Sequence, residues 1–421
     1  MTASVGHVPN TTPVLVFKTG RYAIHHGALG IVRSLGTLGA PVYAVVESRF
    51  APTALSRYLT GKFVWDTRGL DKVQLLEGLG KIGKKIGRPT VLISTDDFAA
   101  ILVAEEATIL RQWFIFPQID QSLPRTLVQK KQLYQLCQKL KIPHPNAVFP
   151  SSIHDASEIL AHATFPIAVK IDSAWLNSSG APSVRIVSSA KELTAIYHQT
   201  PADEISNLLL QEYIADGEDW FFHGYCNAES KCLAAFTGRK LRSYPLYAGS
   251  TVLGKAVTNT TLSAQAELFL KAVHFSGIMD IDFRLDSRDG KYKVLDFNPR
   301  VGAQFRLFEN SEGSDLAHVC YSDLSGQPVR KSSQVDGRIF IVEFDDLRAS
   351  LQAFRQHELS VPDWWRSFRG IKEFAWFNWA DPIPFLLVCM ISIIKVVAKV
   401  GRKALRRPSD GRSSVHHNHR K

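Results

Sequence analysis

Cysteine is sparse in this chain of 421 residues. The five present, Cys137, Cys226, Cys232, Cys320 and Cys389, are odd in number and include no C-x-x-C pair. That excludes a disulfide framework and a cysteine zinc site, and it fits a reducing compartment. The N-terminal stretch MTASVGHVPNTTPVLVF lacks a basic start followed by a long apolar run, so no secretory signal is expected there. The longest apolar stretch, from Phe385 to Val400, falls short of the ~20 residues that crossing hydrocarbon requires. Sequence patterns of hydrolytic catalysis are missing too: there is no G-x-S-x-G and no H-E-x-x-H. Gly27, Gly30, Gly36 and Gly39 fit no G-x-G-x-x-G, which argues for helix packing over a dinucleotide site. No fixed-period repeat is visible, and 45% hydrophobic with 21% charged residues is an ordinary globular composition.

Acidic residues are the scarcer charge, and the net charge is +11. Its distribution decides what that means. Residues 395–421 carry nine Lys/Arg against the single acid Asp410, a net +8, which leaves +3 for everything before them. A nucleic-acid partner is therefore not expected, because the basicity sits on one tail without interleaved stacking aromatics.

The patterning divides the chain in three. Over residues 1–122, TPVLVFKTG reads as a buried strand turning at Gly20, GALGIVRSLGTLG as a helix and APVYAVVE as a strand. DKVQLLEGLGKIGKK then reads as a helix and PTVLISTDD as a strand with acids just past its end. This alternation predicts an open parallel α/β sheet. Residues 123–335 read as α+β: a helix before KIPHP, strands at FPIAVKID and SVRIVSS, and an antiparallel run from NLLLQEYIADGEDWFFHGYC through KCLAAFTGRKL. A hairpin, GIMDIDFRLDSRDGKYKVLDFNPR, is expected to turn at Asp289-Gly290. Residues 336–421 form a C-terminal segment containing an amphipathic helix and the basic tail.

The end of that hairpin carries the chemistry. Along VLDFNPR, strand alternation points Asp296, Asn298 and Arg300 to one face and Leu295 and Phe297 to the other, with Pro299 ending the strand. Two oxygen ligands beside a guanidinium suit a magnesium ion carrying phosphates. Together with Lys130, Lys170, Glu212, Asp219 and Asp282, in that order and spacing, this constellation resembles the ATP-grasp ligases over roughly residues 14–330. A narrower resemblance is to bacterial ATP-grasp proteins similar to the carbamoyl-phosphate synthase large chain. It is carried by HHGALGIVRSLGTLGAPVYAV, by FSGIMDIDFRLDSRDGKYKVLDFNPRVG and by FAWFNWADPIPFL.

The resemblance implies a Rossmann-like N-terminal domain, an ATP-grasp domain, and ATP with Mg2+ (or Mn2+) as cofactors. It implies that Lys130, or its neighbour Lys131, and Lys170 contact the nucleotide phosphates. By the same likeness, Gln211, Glu212, Tyr213 and Ile214 hold the adenine, and Asp219 or the adjacent Glu218 takes the ribose hydroxyls. Asp282, Asp296 and Asn298 would bind the metal, and Arg300 would steady the transferring phosphoryl group. Arg239 and Lys240, in TGRKLRSYP, are candidates to neutralise an acyl phosphate or hold a substrate carboxylate. Two departures stand out: the loop DSAWLNSSGAPSV has one glycine where relatives are glycine-rich, leaving Ser178 and Ser179 as hydroxyl donors, and Asp296 stands where many relatives have glutamate.

The implied function is an ATP-dependent carboxylate–amine ligase releasing ADP and phosphate, acting on small-molecule carboxylate and amine substrates: an amino acid, a peptide or a cell-envelope precursor. Bicarbonate or carbamoyl chemistry is disfavoured because no glutaminase-like or biotin-carrier segment accompanies the core. The alternative is a catalytically inactive nucleotide-binding scaffold at the membrane surface. In PFLLVCMISIIKVVAKVGRK, Ser392, Lys395, Lys399 and Arg402 recur as one polar stripe on an apolar helix. Residues 385–407 are thus expected to lie on an anionic membrane surface or dock on the protein's own core. Trp364, Trp365, Trp376 and Trp379 would form an interfacial belt or pack the segment in place. The expected location is the cytoplasm, peripheral at the inner face of the membrane.

Overall fold

A computed structural model describes residues 11–19, 25–150, 164–172, 184–247 and 249–405. Gly20, the loop with Ser178 and Ser179, the tail beyond residue 405 and the side chains of Lys399 and Arg402 lie outside that description.

The first sheet is wholly parallel, in the order β3-β2-β1-β4-β5. It comprises β1 (Val14–Phe17), β2 (Val42–Val46), β3 (Gly61–Val64), β4 (Thr90–Ser94) and β5 (Phe114–Ile115). β1 is buried along its whole length, as expected where helices cover both faces. The helix Lys72–Ile86 begins with an Asp71/Gln74 capping box and stops at Gly87, whose φ of +77° suits glycine. The helix His26–Thr37 uses its glycines for packing: a Cβ on Gly36 would stand 2.6 Å from that of Tyr58. Strand order reverses between β1 and β4, which opens a crevice at their C-terminal ends.

Two further sheets follow, antiparallel except for one parallel pair, β15 with β16. A four-stranded sheet runs β6-β9-β7-β8, from β6 (Ala147–Val148), β7 (Ile167–Ile171), β8 (Val184–Val187) and β9 (Leu208–Glu212). A seven-stranded sheet runs β14-β13-β10-β11-β12-β15-β16. Its strands are β10 (Glu218–Cys226), β11 (Cys232–Tyr244), β12 (Ser250–Ala256), β13 (Gly277–Asp286), β14 (Lys291–Asn298), β15 (Ile339–Ile341) and β16 (Ile371–Phe374). The antiparallel run expected from NLLLQEYIADGEDWFFHGYC onward thus begins only at β10, since β9 and β10 belong to different sheets. β13 and β14 do form the expected hairpin, with Gly290 at φ +68°.

Strands β15 and β16 carry the C-terminal segment onto the central sheet, and Trp376 and Val388 enter the main core. One buried ion pair fastens that segment to the first domain. Arg33 Nε donates to Asp381 Oδ2 at 3.0 Å, and its NH2 group donates to the carbonyls of Trp376 and Asp381. Ser56 Oγ and Arg57 N also donate to the Asp381 carboxylate. The C-terminal helix, Ile383–Leu405, extends from this anchor.

Candidate active site

The four- and seven-stranded sheets and the crevice of the parallel one enclose a cleft of about 840 Å³. Its floor is the β13–β14 ladder, in which Asp282 lies directly opposite Asp296 and Asp280 opposite Asn298. The register slips between Asp282 and Phe283, whose partner is Val294. Leu295 is therefore the extra residue of a β-bulge. This corrects the strict alternation expected from sequence: Leu295 lines the cleft together with Asp296 and Asn298, while Val294 and Phe297 face the core.

Four cations converge on this floor. Lys130, the first residue of the helix Lys130–Leu140, is buried with its Nζ 3.1 Å from Asp296 Oδ1. Burial pulls its pKa down, but Asp296 and Asp97 outweigh that and leave it raised. Lys131 is exposed, with its ammonium over the Phe149 ring, so of the two candidates it is Lys130 that faces the cleft. Lys170, on β7, is buried and held down to about 8, first by desolvation and then by the like charge of Lys130. Lys240 Nζ lies 3.8 Å from Asp282 Oδ1. Arg300 contacts Asp97 at 3.1 Å and Asp280 at 3.3 Å, and donates to Asn298 Oδ1 at 3.0 Å.

The carboxylates differ in environment. Desolvation lifts Asp282 to about 6; Lys240 opposes that rise, while Asp280 and Asp296 add to it. Burial also raises Asp280, but His223 and Arg300 outweigh it and leave that carboxyl below the usual range. His223 Nε2 lies 3.1 Å from Asp280 Oδ1. Gly302 lets the chain pass over this pair, since a Cβ there would stand 2.3 Å from His223 Cε1.

At the opposite end, the expected adenine-holding residues line the cleft. Gln211 is buried and accepts from Tyr134 Oη at 2.8 Å. The Ile214 carbonyl accepts from Arg284 Nε at 2.6 Å, which commits one of its lone pairs. Arg284 also pairs with Asp219 at 2.6 Å and stacks over Tyr213. Glu212 pairs with Arg288. Glu218 and Arg239 are placed differently from the sequence expectation. They pair with each other at 2.8 Å, both substantially exposed, and neither lines the cleft. Alternation explains the split: on β10 and β11, Asp219 and Lys240 face in where their neighbours face out.

Sequence reasoning passed over several lining residues. Asp97 follows β4, and the N-cap Asp96 beside it accepts from Thr19 N, Thr19 Oγ1 and Ala99 N. His25 and His26, after β1, are different: the sequence offers them as cleft residues with capping or surface roles preferred, and the structure places both in the lining while His25 Nδ1 also accepts from Ala28 N at 3.3 Å. Asp280 and Arg284 belong to a strand that reads as an alternating apolar and charged run. Val388, Ile391, Ser392 and Lys395 of the C-terminal helix close one wall.

The donor set suits a magnesium ion bound with nucleotide. The chain offers two facing carboxylates and the Asn298 amide, and among the described residues no group of three His, Cys, Asp or Glu forms a metal cage. Magnesium is commonly held by one or two carboxylates plus substrate phosphates.

The chain is similar to known proteins in sequence and in fold. No protein-family model matches the chain. It is 23% identical over 315 residues to a D-aspartate ligase of Enterococcus faecium, covering 70% of this chain and 73% of that protein. A carbamoyl phosphate synthase large chain of Archaeoglobus fulgidus is 22% identical over 212 residues, which cover 48% of this chain and 19% of that one. The N5-carboxyaminoimidazole synthetase of Staphylococcus aureus, solved with ADP, superposes with a TM-score of 0.60 at 12% identity, over 82% of this chain and 86% of that one. The biotin carboxylase domain of the Hydrogenobacter thermophilus 2-oxoglutarate carboxylase, solved with MgADP and bicarbonate, gives 0.57 at 15% identity, over 76% of this chain and 71% of that one. By sequence and by fold, then, the chain is similar to ATP-grasp ligases.

Proposed function

We propose that this protein is an ATP-dependent carboxylate–amine ligase. A substrate carboxylate oxygen attacks the γ-phosphorus of ATP and ADP departs, leaving an acyl phosphate. The amine nitrogen then attacks the acyl carbon and loses a proton as inorganic phosphate leaves. The observation that carries this reading is the meeting of Lys130, Lys170, Lys240 and Arg300 around the facing pair Asp282 and Asp296 in one cleft.

The chain's own residues supply position and charge. Lys130 and Lys170 would hold the phosphates, Asp219 the ribose, and Gln211 to Ile214 the base. Asp282, Asp296 and Asn298 would hold magnesium, which when bound offsets charge on the phosphates. Arg300, kept in place by Asp97, Asp280 and Asn298, would meet the transferring phosphoryl group, and Lys240 the acyl phosphate. His25, His26, Asp97 and Trp376 line the end of the cleft beyond Arg300, where the carboxylate or amine substrate would sit. The five free cysteines and the demand for ATP fit a cytoplasmic protein.

The test is product release with magnesium–ATP and pools of amino acids, peptides and small acids, comparing wild type with Asp296→Ala. The expected result is substrate-dependent ADP and phosphate, reduced at least ~100-fold in the variant. AMP and pyrophosphate would refute the acyl-phosphate route. Nucleotide binding without turnover on any pool would favour the scaffold.

A further inference from the structure

The C-terminal helix packs apolar side chains inward, with Val388 in the main core and Phe385 against it, and yet carries a second apolar stripe on its outward face. Its inner face buries Val388 and sets Ile391, Ser392 and Lys395 against the cleft. Its outer face presents Leu386, Met390, Ile393, Ile394 and Val397, each between 57% and 64% exposed. These positions recur every three or four residues and form one apolar stripe. The stripe does not end alone. Trp379, 87% exposed, packs through Phe377 against Phe385 at the start of the helix. Beyond it, residues 395–421 supply nine Lys/Arg and one acid. An exposed apolar stripe, an exposed tryptophan at one end and dense positive charge at the other complement a lipid surface bearing anionic head groups. Among the described residues no helix is long and apolar enough to cross a membrane.

We infer that this stripe seats on an anionic lipid surface, and that the cleft walled by the same helix acts on a substrate presented there, an amphiphile whose reactive carboxylate or amine projects from the head groups. The binding half is independent of catalysis, and the substrate half rests on the ligase reading. Seating the outer stripe brings the wall formed by Ile391, Ser392 and Lys395 within one helix diameter, about 10 Å, of the lipid. A substrate anchored in that lipid can then reach the cleft without leaving its bilayer.

Sedimentation of the full chain with vesicles tests the first half. Phosphatidylcholine vesicles with phosphatidylglycerol are compared with phosphatidylcholine alone, at low and high salt. Met390→Asp with Ile394→Asp is the variant, and Met390→Gln with Ile394→Gln replaces it if circular dichroism shows the first unfolded. Binding to the anionic vesicles, weakened at least ~10-fold by the variant and by salt, is expected. Absence of binding, or binding unchanged in the variant, overturns the inference. So does a lipid-free dimer in light scattering that the variant dissociates, since the stripe would then serve a second copy. For the second half, magnesium–ATP turnover is driven with a membrane-lipid extract or with an aqueous metabolite extract. Turnover on the lipid extract supports the amphiphile, and turnover on the aqueous extract alone overturns it while leaving the ligase standing. Turnover on neither refutes both the ligase and the amphiphile, and the vesicle result stands by itself.

Discussion

Lys170 is an ammonium on a buried strand with another lysine beside it, and it gives up its proton near pH 8. Phosphates reverse that preference, because an anion at contact distance favours the charged form. Nucleotide binding at pH 8.5 should therefore take up close to one proton, and affinity should fall as pH rises through 8. Titration calorimetry in buffers of different ionisation enthalpy would register the uptake, and Lys170→Met should abolish it. His26 works in the opposite range. Enclosed by Phe340 and Trp376, it is lowered by burial to about 4, whereas an unfolded histidine titrates near 6.5. Above about pH 6.5 neither state binds the proton; below it the unfolded chain does so first, and stability is lost down to about pH 4. His26→Phe should make that acid-side loss shallower in urea denaturation at pH 7 and pH 5. A titration as steep as wild type would show that His26 is not its source.

At the level of elements, the β13–β14 ladder and the Arg33–Asp381 anchor matter most. Removing one partner of a buried pair leaves the other charged and unpaired, so Asp381→Ala should cost about 3–5 kcal/mol in denaturant unfolding. Arg33→Met with Asp381→Leu should recover part of that loss. The ladder also marks how far the sequence could be read. Strand ends and the order of charged residues were legible because they depend on neighbours in the chain. The parallel first sheet, the β13–β14 hairpin and the split between strand-facing pairs follow from such local rules. The bulge at Leu295 was not legible, because a register slip is set by what both strands pack against. Arg33 and Asp381 are 348 positions apart, and nothing local to either announces the other. Asp97 was visible only as an acid just past a strand; its role depends on β1 and β4 being neighbours. The C-terminal helix showed its amphipathic period, but which face would turn inward depended on a cleft built elsewhere.

For the whole molecule, the nucleotide is expected to bind across three sheets and so to stabilise them together. At a hundredfold excess over its Kd, magnesium–ATP should add about 2.7 kcal/mol, seen as a rise in melting temperature. Asp282→Asn should erase the part of that rise that depends on magnesium while leaving the fold intact. A rise unaffected by the variant would remove Asp282 from the metal site. The Arg33 anchor has a consequence of its own for a chain made from one end. The helix that carries Arg33 leaves the ribosome long before Asp381 exists. At about 5–20 residues per second the wait is roughly 17–70 s. Until then its guanidinium has no carboxylate to meet, and burying it bare would be costly. The packing around Arg33 must therefore wait for a carboxylate made 348 positions later, so a distant segment completes a core begun early in synthesis.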